Sequence, residues 1–107
     1  MNTQQLIDAV RAWGVEKGLT GPNGKATVRG QVTKLDEEFN ELCASIRFHD
    51  DPGIVDAIGD MTVVLTLLAE LVGTKIEDCL KAAYVEIAGR TGKMVDGVFV
   101  KDEKGGE

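Results

Sequence analysis

The sequence predicts an all-α fold, a bundle of about four helices that ends in a short C-terminal β-hairpin. Three observations carry this. Four segments repeat apolar residues at helical spacing, and breaks built from Gly, Pro, Asn or Asp separate them. The chain has only two prolines and few alternating β-branched runs, which argues against an all-β fold. The stretch MV-DG-VFV near the end carries the two-residue turn of a hairpin.

The first helix runs from Thr3 to about Lys17, with Leu6, Ala9, Val10 and Trp13 at helical spacing. KGLTGPNGK (17–25) is a loop. A second, long helix spans about Ala26 to Arg47 and is broken by HDDPG (49–53). There Asp51 is the expected N-cap of the third helix and Pro52 its first residue. The third helix, about Pro52 to Val72, is apolar nearly all round and is expected to be the buried one. Gly73 ends it, and TKIE (74–77) has the form of a capping box opening a fourth helix that reaches about Arg90. Isolated amphipathic helices of this length rarely hold together alone, so helix-mediated dimerisation is expected.

A chain of 107 residues, 43% hydrophobic and 28% charged, suits one soluble globular domain spanning residues 1–107, with a frayed tail over about 102–107. A net charge of −6 provides no basic face for nucleic acid. Polyphosphate ligands are compatible with it, because a bound divalent cation reverses the local sign of charge. Cys43 and Cys79 lie in helical patterns and form no CxxC pair, so both are expected to be reduced core or boundary thiols of a cytosolic protein. The start, MNTQQLIDAV, lacks a basic region followed by an apolar run, so no signal peptide is expected. The apolar stretch 61–68, interrupted by Thr62 and Thr66, falls short of the ~20 residues a membrane span requires.

KLDEEFNEL (34–42) concentrates four acids beside apolar residues. On a wheel of about 100° per residue, Leu35, Phe39, Leu42 and Ile46 form the expected core seam. Thr27, Gln31, Lys34, Glu38, Glu41 and Ser45 form a polar stripe directly beside it, with Glu38 nearer the core and Glu41 further out. Glu37 borders the stripe, and Asp36 points to solvent. The simplest use of such acids is a solvated face, with Lys34 pairing Glu37 or Glu38 one turn away.

The third helix, IVDAIGDMTVVLTLLAEL, is core-like except for Asp56 and Asp60, four residues apart and on one face. Asp56 lies near the helix start and could serve its dipole. Asp60 lies two turns in, among apolar neighbours, where an unpaired carboxylate is costly. Gly59 beside it would allow a close approach by a neighbouring helix, a metal or a phosphate. If the two helices pack antiparallel, Glu38, Glu41, Asp56 and Asp60 face one another. Four carboxylates make a hard oxygen site suited to Mg²⁺ or Mn²⁺. The single histidine, His49, is in a loop, which does not support a zinc or di-iron site.

KLDEEFNEL followed by IVDAIGDMTVVLTLLAEL, with the tail AYVEIAGRTGKMVDGVFVKDE, resembles the MazG-like branch of the all-α nucleoside triphosphate pyrophosphohydrolases. The likeness extends from about Trp13 to Lys101, and the tail looks like the ending of small single-domain members common in phage and bacterial genomes. That superfamily is marked by E-x-x-E on one helix and E-x-x-D on the next. Glu38 and Glu41 match the first motif, Glu37 matches a frequent preceding Glu, and Asp60 matches the Asp of the second. Ala57 stands where the second motif has Glu, and Asp56, one residue earlier, is the substitute available.

The resemblance implies Mg²⁺-dependent hydrolysis of a nucleoside triphosphate between its α- and β-phosphates, in a homodimer or dimer of dimers that completes the bundle. With such an ion, Glu38, or in its place Glu37 or Glu41, would orient the attacking water or accept its proton. Relatives place basic residues of the last helix and tail against the phosphates, which points to Arg90, Lys93 and Lys101; each would otherwise serve a helix end or solvent. Relatives often have Asn where Val85 stands. Lys34, Gln31 and Trp13 are further substrate-binding candidates. A Trp at helical spacing belongs by default to a core, and stacking on a nucleobase is the functional alternative. Tyr84 reads as packing. The competing classes are a non-catalytic nucleotide- or metal-binding module of the same fold and a structural helical oligomerisation protein.

Overall fold

The computed structural model describes residues 1–103, so the expected fraying of the tail falls largely outside the described residues. Four helices and a hairpin follow one another: α1 (Thr3–Glu16), α2 (Val28–Arg47), α3 (Asp51–Leu71), α4 (Ile76–Ala88), β1 (Gly92–Val95) and β2 (Val98–Lys101). The chain divides into two compact units, Met1–Ile76 and Glu77–Glu107.

In the first unit each helix start is capped by a side chain. The Asn2 side chain accepts from the Gln5 amide at 2.8 Å while the Gln5 side chain accepts from the Asn2 amide, closing a capping box on α1. Thr27 caps α2 by accepting from the Gly30 amide at 3.0 Å, so α2 begins at Val28, slightly later than its pattern suggested. The N-cap of α3 is Asp50, which accepts from the Gly53 amide at 3.1 Å, and Asp51 is already helical. This corrects the expected cap by one residue. Pro52 then occupies the second helical position, where its missing amide costs nothing. His49, at φ 54°, turns the chain out of α2 in the left-handed region. The α2–α3 connection is therefore only three residues long, as an antiparallel helix pair requires.

α3 packs against both α1 and α2 and carries most of the core: Ala57, Val64, Thr66, Leu67 and Ala69 are buried. Thr62 and Thr66, which interrupt the apolar run, donate their hydroxyls to the carbonyls of Ile58 and Thr62 at 2.9 and 2.7 Å. A hydroxyl can thus sit in this core without an unsatisfied donor. The burial of α3 is partial, because Val55 and Ile58 near its start are exposed. No neighbouring helix approaches Gly59; the close helix contact is at Gly14. A Cβ at Gly59 would meet nothing within 4 Å, whereas at Gly14 it would lie 2.5 Å from Leu67 Cδ2. Gly14 is what lets α1 and α3 meet.

The seam of α2 also differs from expectation. Leu35 and Leu42 turn inward, but Phe39 and Ile46 are about half exposed, and Glu38 is the buried residue of the helix. A wheel locates the apolar arc without saying which edge of it meets a neighbour. Here α2 presents its polar-stripe edge to α3.

In the second unit, β1 and β2 pair antiparallel with Val95 opposite Val98. Asp96 and Gly97, at φ 49° and 81°, supply the two left-handed residues of a type I′ turn. The Thr91 hydroxyl donates to Asp102 at 2.8 Å and ties the open end of the hairpin. α4 starts at Ile76 and ends at Ala88, and its Leu80, Tyr84, Val85 and Ile87 are exposed, so Tyr84 is not a packing residue here. Neither Cys43 nor Cys79 is in a disulfide, and both are exposed rather than core. Among the described residues no helix is long and apolar enough to cross a membrane.

Leu67 is 2% exposed and central to the α1–α3 contact. Leu67→Ala should therefore lower the unfolding free energy by about 2–4 kcal/mol, read from urea denaturation.

Candidate metal and nucleotide site

The polar stripe of α2 becomes one wall of a cleft. Thr27, Gly30, Gln31, Lys34 and Glu38 face Asp60, Val63, Val64 and Leu67 of α3 across a space of about 810 Å³, which Trp13, Leu19 and Lys25 close at the side. Ligand sites of small molecules typically run ~300–1,000 Å³ and mix an apolar lining with a few polar groups. Trp13 is 44% exposed and lines this cleft, so it is not the core residue its spacing suggested by default. A smaller recess is lined by Leu6, Ala9, Val10, Trp13, Asp60 and Val63.

Glu38, Glu41 and Asp60 each bring a carboxylate oxygen within 4.8 Å of the other two, close enough for one cation to touch all three. They differ in environment. Glu38 is 5% exposed, Asp60 is half-buried and Glu41 is exposed. Lys34 Nζ lies 3.3 Å from Glu38 Oε1 and 3.6 Å from Glu37 Oε2. Glu38 Oε2 is buried without a hydrogen-bond partner. An all-oxygen donor set with one orphaned carboxylate oxygen fits a hard divalent cation.

Asp60 and Lys34 respond to this environment. The Asp60 carboxyl is held above the ordinary carboxylate range, first by its burial, then by the nearby charges of Asp56 and Glu38; Lys34 partly offsets this. The Lys34 ammonium is held above the ordinary lysine value by its hydrogen bond to Glu38, by the charge of Glu38 and then by Glu37.

Asp56, expected among the ligands, is exposed and lies outside the three-carboxylate group, although its charge reaches Asp60. Ala57, the next residue, faces inward at 2% exposure. Glu37 is exposed at the border of the stripe and paired to Lys34. Arg90 and Lys101 share a separate polar cleft of about 610 Å³ in the second unit, with Glu86, Thr91, Asp102 and Glu103. Arg90 is committed there to Glu86 at 2.9 Å. Lys93 lies on β1 opposite Val100 and lines neither cleft.

Lys25 and Leu19 are cleft residues that sequence reasoning missed. They come from the 17–25 loop, which folds back through bonds from Lys25 N to Gly18 O at 2.9 Å and from Ala26 N to Leu19 O at 3.0 Å. No helical period signals a loop residue. The one available hint was a lysine directly before the Thr27 stripe.

A raised Asp60 pKa means that the folded state holds its proton more tightly than the unfolded chain. Between the unfolded value, near 3.8, and the raised folded value, stability therefore falls as pH rises. Asp60→Asn should raise the metal-free melting temperature at pH 7. The gain should shrink as pH falls toward the unfolded value, as thermal melts across that range would show.

No protein-family profile and no solved structure matches the chain. Over 67 residues it is 37% identical to a protein of Haemophilus phage HP1 (strain HP1c1), described as an uncharacterized 18.2 kDa protein in the rep-hol intergenic region. That match covers 63% of this chain, and the chain spans 39% of the phage protein's length.

Proposed function

We propose that this chain is a Mg²⁺-dependent nucleoside triphosphate pyrophosphohydrolase of the MazG-like type, releasing a nucleoside monophosphate and pyrophosphate in the cytoplasm. The observation that carries the reading is the convergence of Glu38, Glu41 and Asp60, one carboxylate oxygen of each within 4.8 Å of the others, where Glu38 and Asp60 line a cleft that also offers Trp13, Gln31 and Lys34. Acids, a cation, an amide and an aromatic face are the groups a nucleotide with its metal requires.

Glu38, Glu41 and Asp60 would hold Mg²⁺ or Mn²⁺, with Asp56 adding negative charge beside them. Bound there, the ion supplies positive charge to phosphoryl oxygens and acidifies water. The chain's own groups do the rest. Glu38, or Glu37 at its border, orients the attacking water and accepts its proton. The Lys34 ammonium meets a phosphate oxygen. Trp13 offers its indole face to the base, and Gln31 hydrogen-bonds base or sugar. The bundle is completed between copies in a homodimer or dimer of dimers. The exposed apolar residues of α2 (Val32, Phe39, Ile46) and α4 (Leu80, Val85, Ile87) support that reading.

One observation favours a second reading, a non-catalytic nucleotide- or metal-binding module. Ala57 points inward where the resembled motif has Glu, leaving three carboxylates in the group rather than four.

Incubation with a panel of ribo- and deoxyribonucleoside triphosphates and Mg²⁺ should release pyrophosphate. Glu38→Gln and Asp60→Asn should each lower turnover by at least about 100-fold. Nucleotide binding with no pyrophosphate from any substrate selects the module instead, and absence of both nucleotide and Mg²⁺ binding removes both readings.

A further inference from the structure

We propose that Lys34 is an exchangeable counter-ion: it neutralises Glu38 while the carboxylate group holds no metal, and it must leave Glu38 when a divalent cation enters. This rests on the metal-site reading of Glu38, Glu41 and Asp60. The starting observation is the asymmetry of one carboxylate. Glu38 Oε1 faces the Lys34 ammonium at 3.3 Å, while Oε2 is buried with no partner. Half of the carboxylate is thus compensated and half is left for something else.

The two partners are unequally mobile. The Glu38 side chain is 6% exposed and held between two helices, whereas the Lys34 side chain is 52% exposed on a flexible four-carbon stem. A cation touching Glu38, Glu41 and Asp60 would be repelled at close range by an ammonium on Glu38. The lysine is the partner free to move. Glu37, 3.6 Å from the same ammonium, gives it a second carboxylate to retain as it withdraws.

Lys34 also lines the cleft, so an ammonium released from Glu38 remains tethered where phosphate oxygens would lie. Metal entry and the presentation of a phosphate-binding cation then follow from one side-chain movement. An ordinary surface ion pair would have no such consequence.

The test uses Mn²⁺ alone as the probe, titrated at low ionic strength against the full chain and followed by loss of the free-ion electron paramagnetic resonance signal. Lys34→Met should bind Mn²⁺ about tenfold more tightly than the wild type. Lys34→Arg, which keeps the charge, should stay close to it. Added salt should narrow the gap between Lys34→Met and wild type. Equal or weaker Mn²⁺ binding by Lys34→Met overturns the counter-ion role while leaving the metal site standing. Absence of Mn²⁺ binding by all three proteins overturns the metal site and this role together. Tighter binding by Lys34→Met without pyrophosphate release by the wild type supports the counter-ion role and rejects the enzymatic reading alone.

Discussion

A carboxylate buried between two helices is the constraint around which this molecule is organised. Glu38 is 5% exposed, and one of its oxygens has no partner. Leaving a charge in that position is costly unless something compensates it. Lys34 provides part of the compensation one turn away. The register of the helix pair provides the rest of the environment. The three-residue turn, with His49 in the left-handed region and Asp50 capping α3, sets Glu38 and Asp60 each about two and a half turns from the connection. Equal distances on antiparallel helices bring the two carboxylates level.

Placing that stripe inward has a consequence for the rest of the packing. α2 spends its α3-facing edge on Gln31, Glu38 and Ser45 as well as Leu35 and Leu42, so Phe39 and Ile46 remain at the surface. Among the described residues the buried hydrophobic side chains are Ala57, Val64, Leu67 and Ala69, all on α3. The core is therefore centred on one helix, and much apolar surface on the others stays exposed. Chains of this size ordinarily bury well over half of their unfolded surface. The uncovered faces and the inward polar stripe are two aspects of one arrangement.

The neighbours of Asp60 show how one position changes a site. Ala57 turns inward and has no carboxylate, while Asp56 has one and points outward. A helix advances about 100° per residue, so a charge moved by one position leaves the cleft. Asp56 can still act through space, raising the Asp60 pKa, but it does not join the group whose oxygens converge.

Local chemistry accounts for what could be read directly. The four helices, the Asp96-Gly97 turn and the division of the acidic run into Glu38 and Glu41 on the stripe, Glu37 at its border and Asp36 outside depend on periodicity and backbone preference, which are properties of neighbouring residues. The misreadings divide into one local contact, the α3 cap, and several set by packing between helices. The Asp50 cap was decided by which side chain reaches the Gly53 amide, and the close approach fell at Gly14 rather than Gly59 because α1 crosses α3 beside Leu67. Trp13 became a cleft wall and Phe39 a surface residue for a similar reason. By itself the sequence determined which residues share a helix face. Tertiary structure alone decided which edge of each face meets another helix, and so that Asp60 rather than Asp56 converges with Glu38 and Glu41. That choice depends on contacts between residues far apart in the chain, which no helical period encodes.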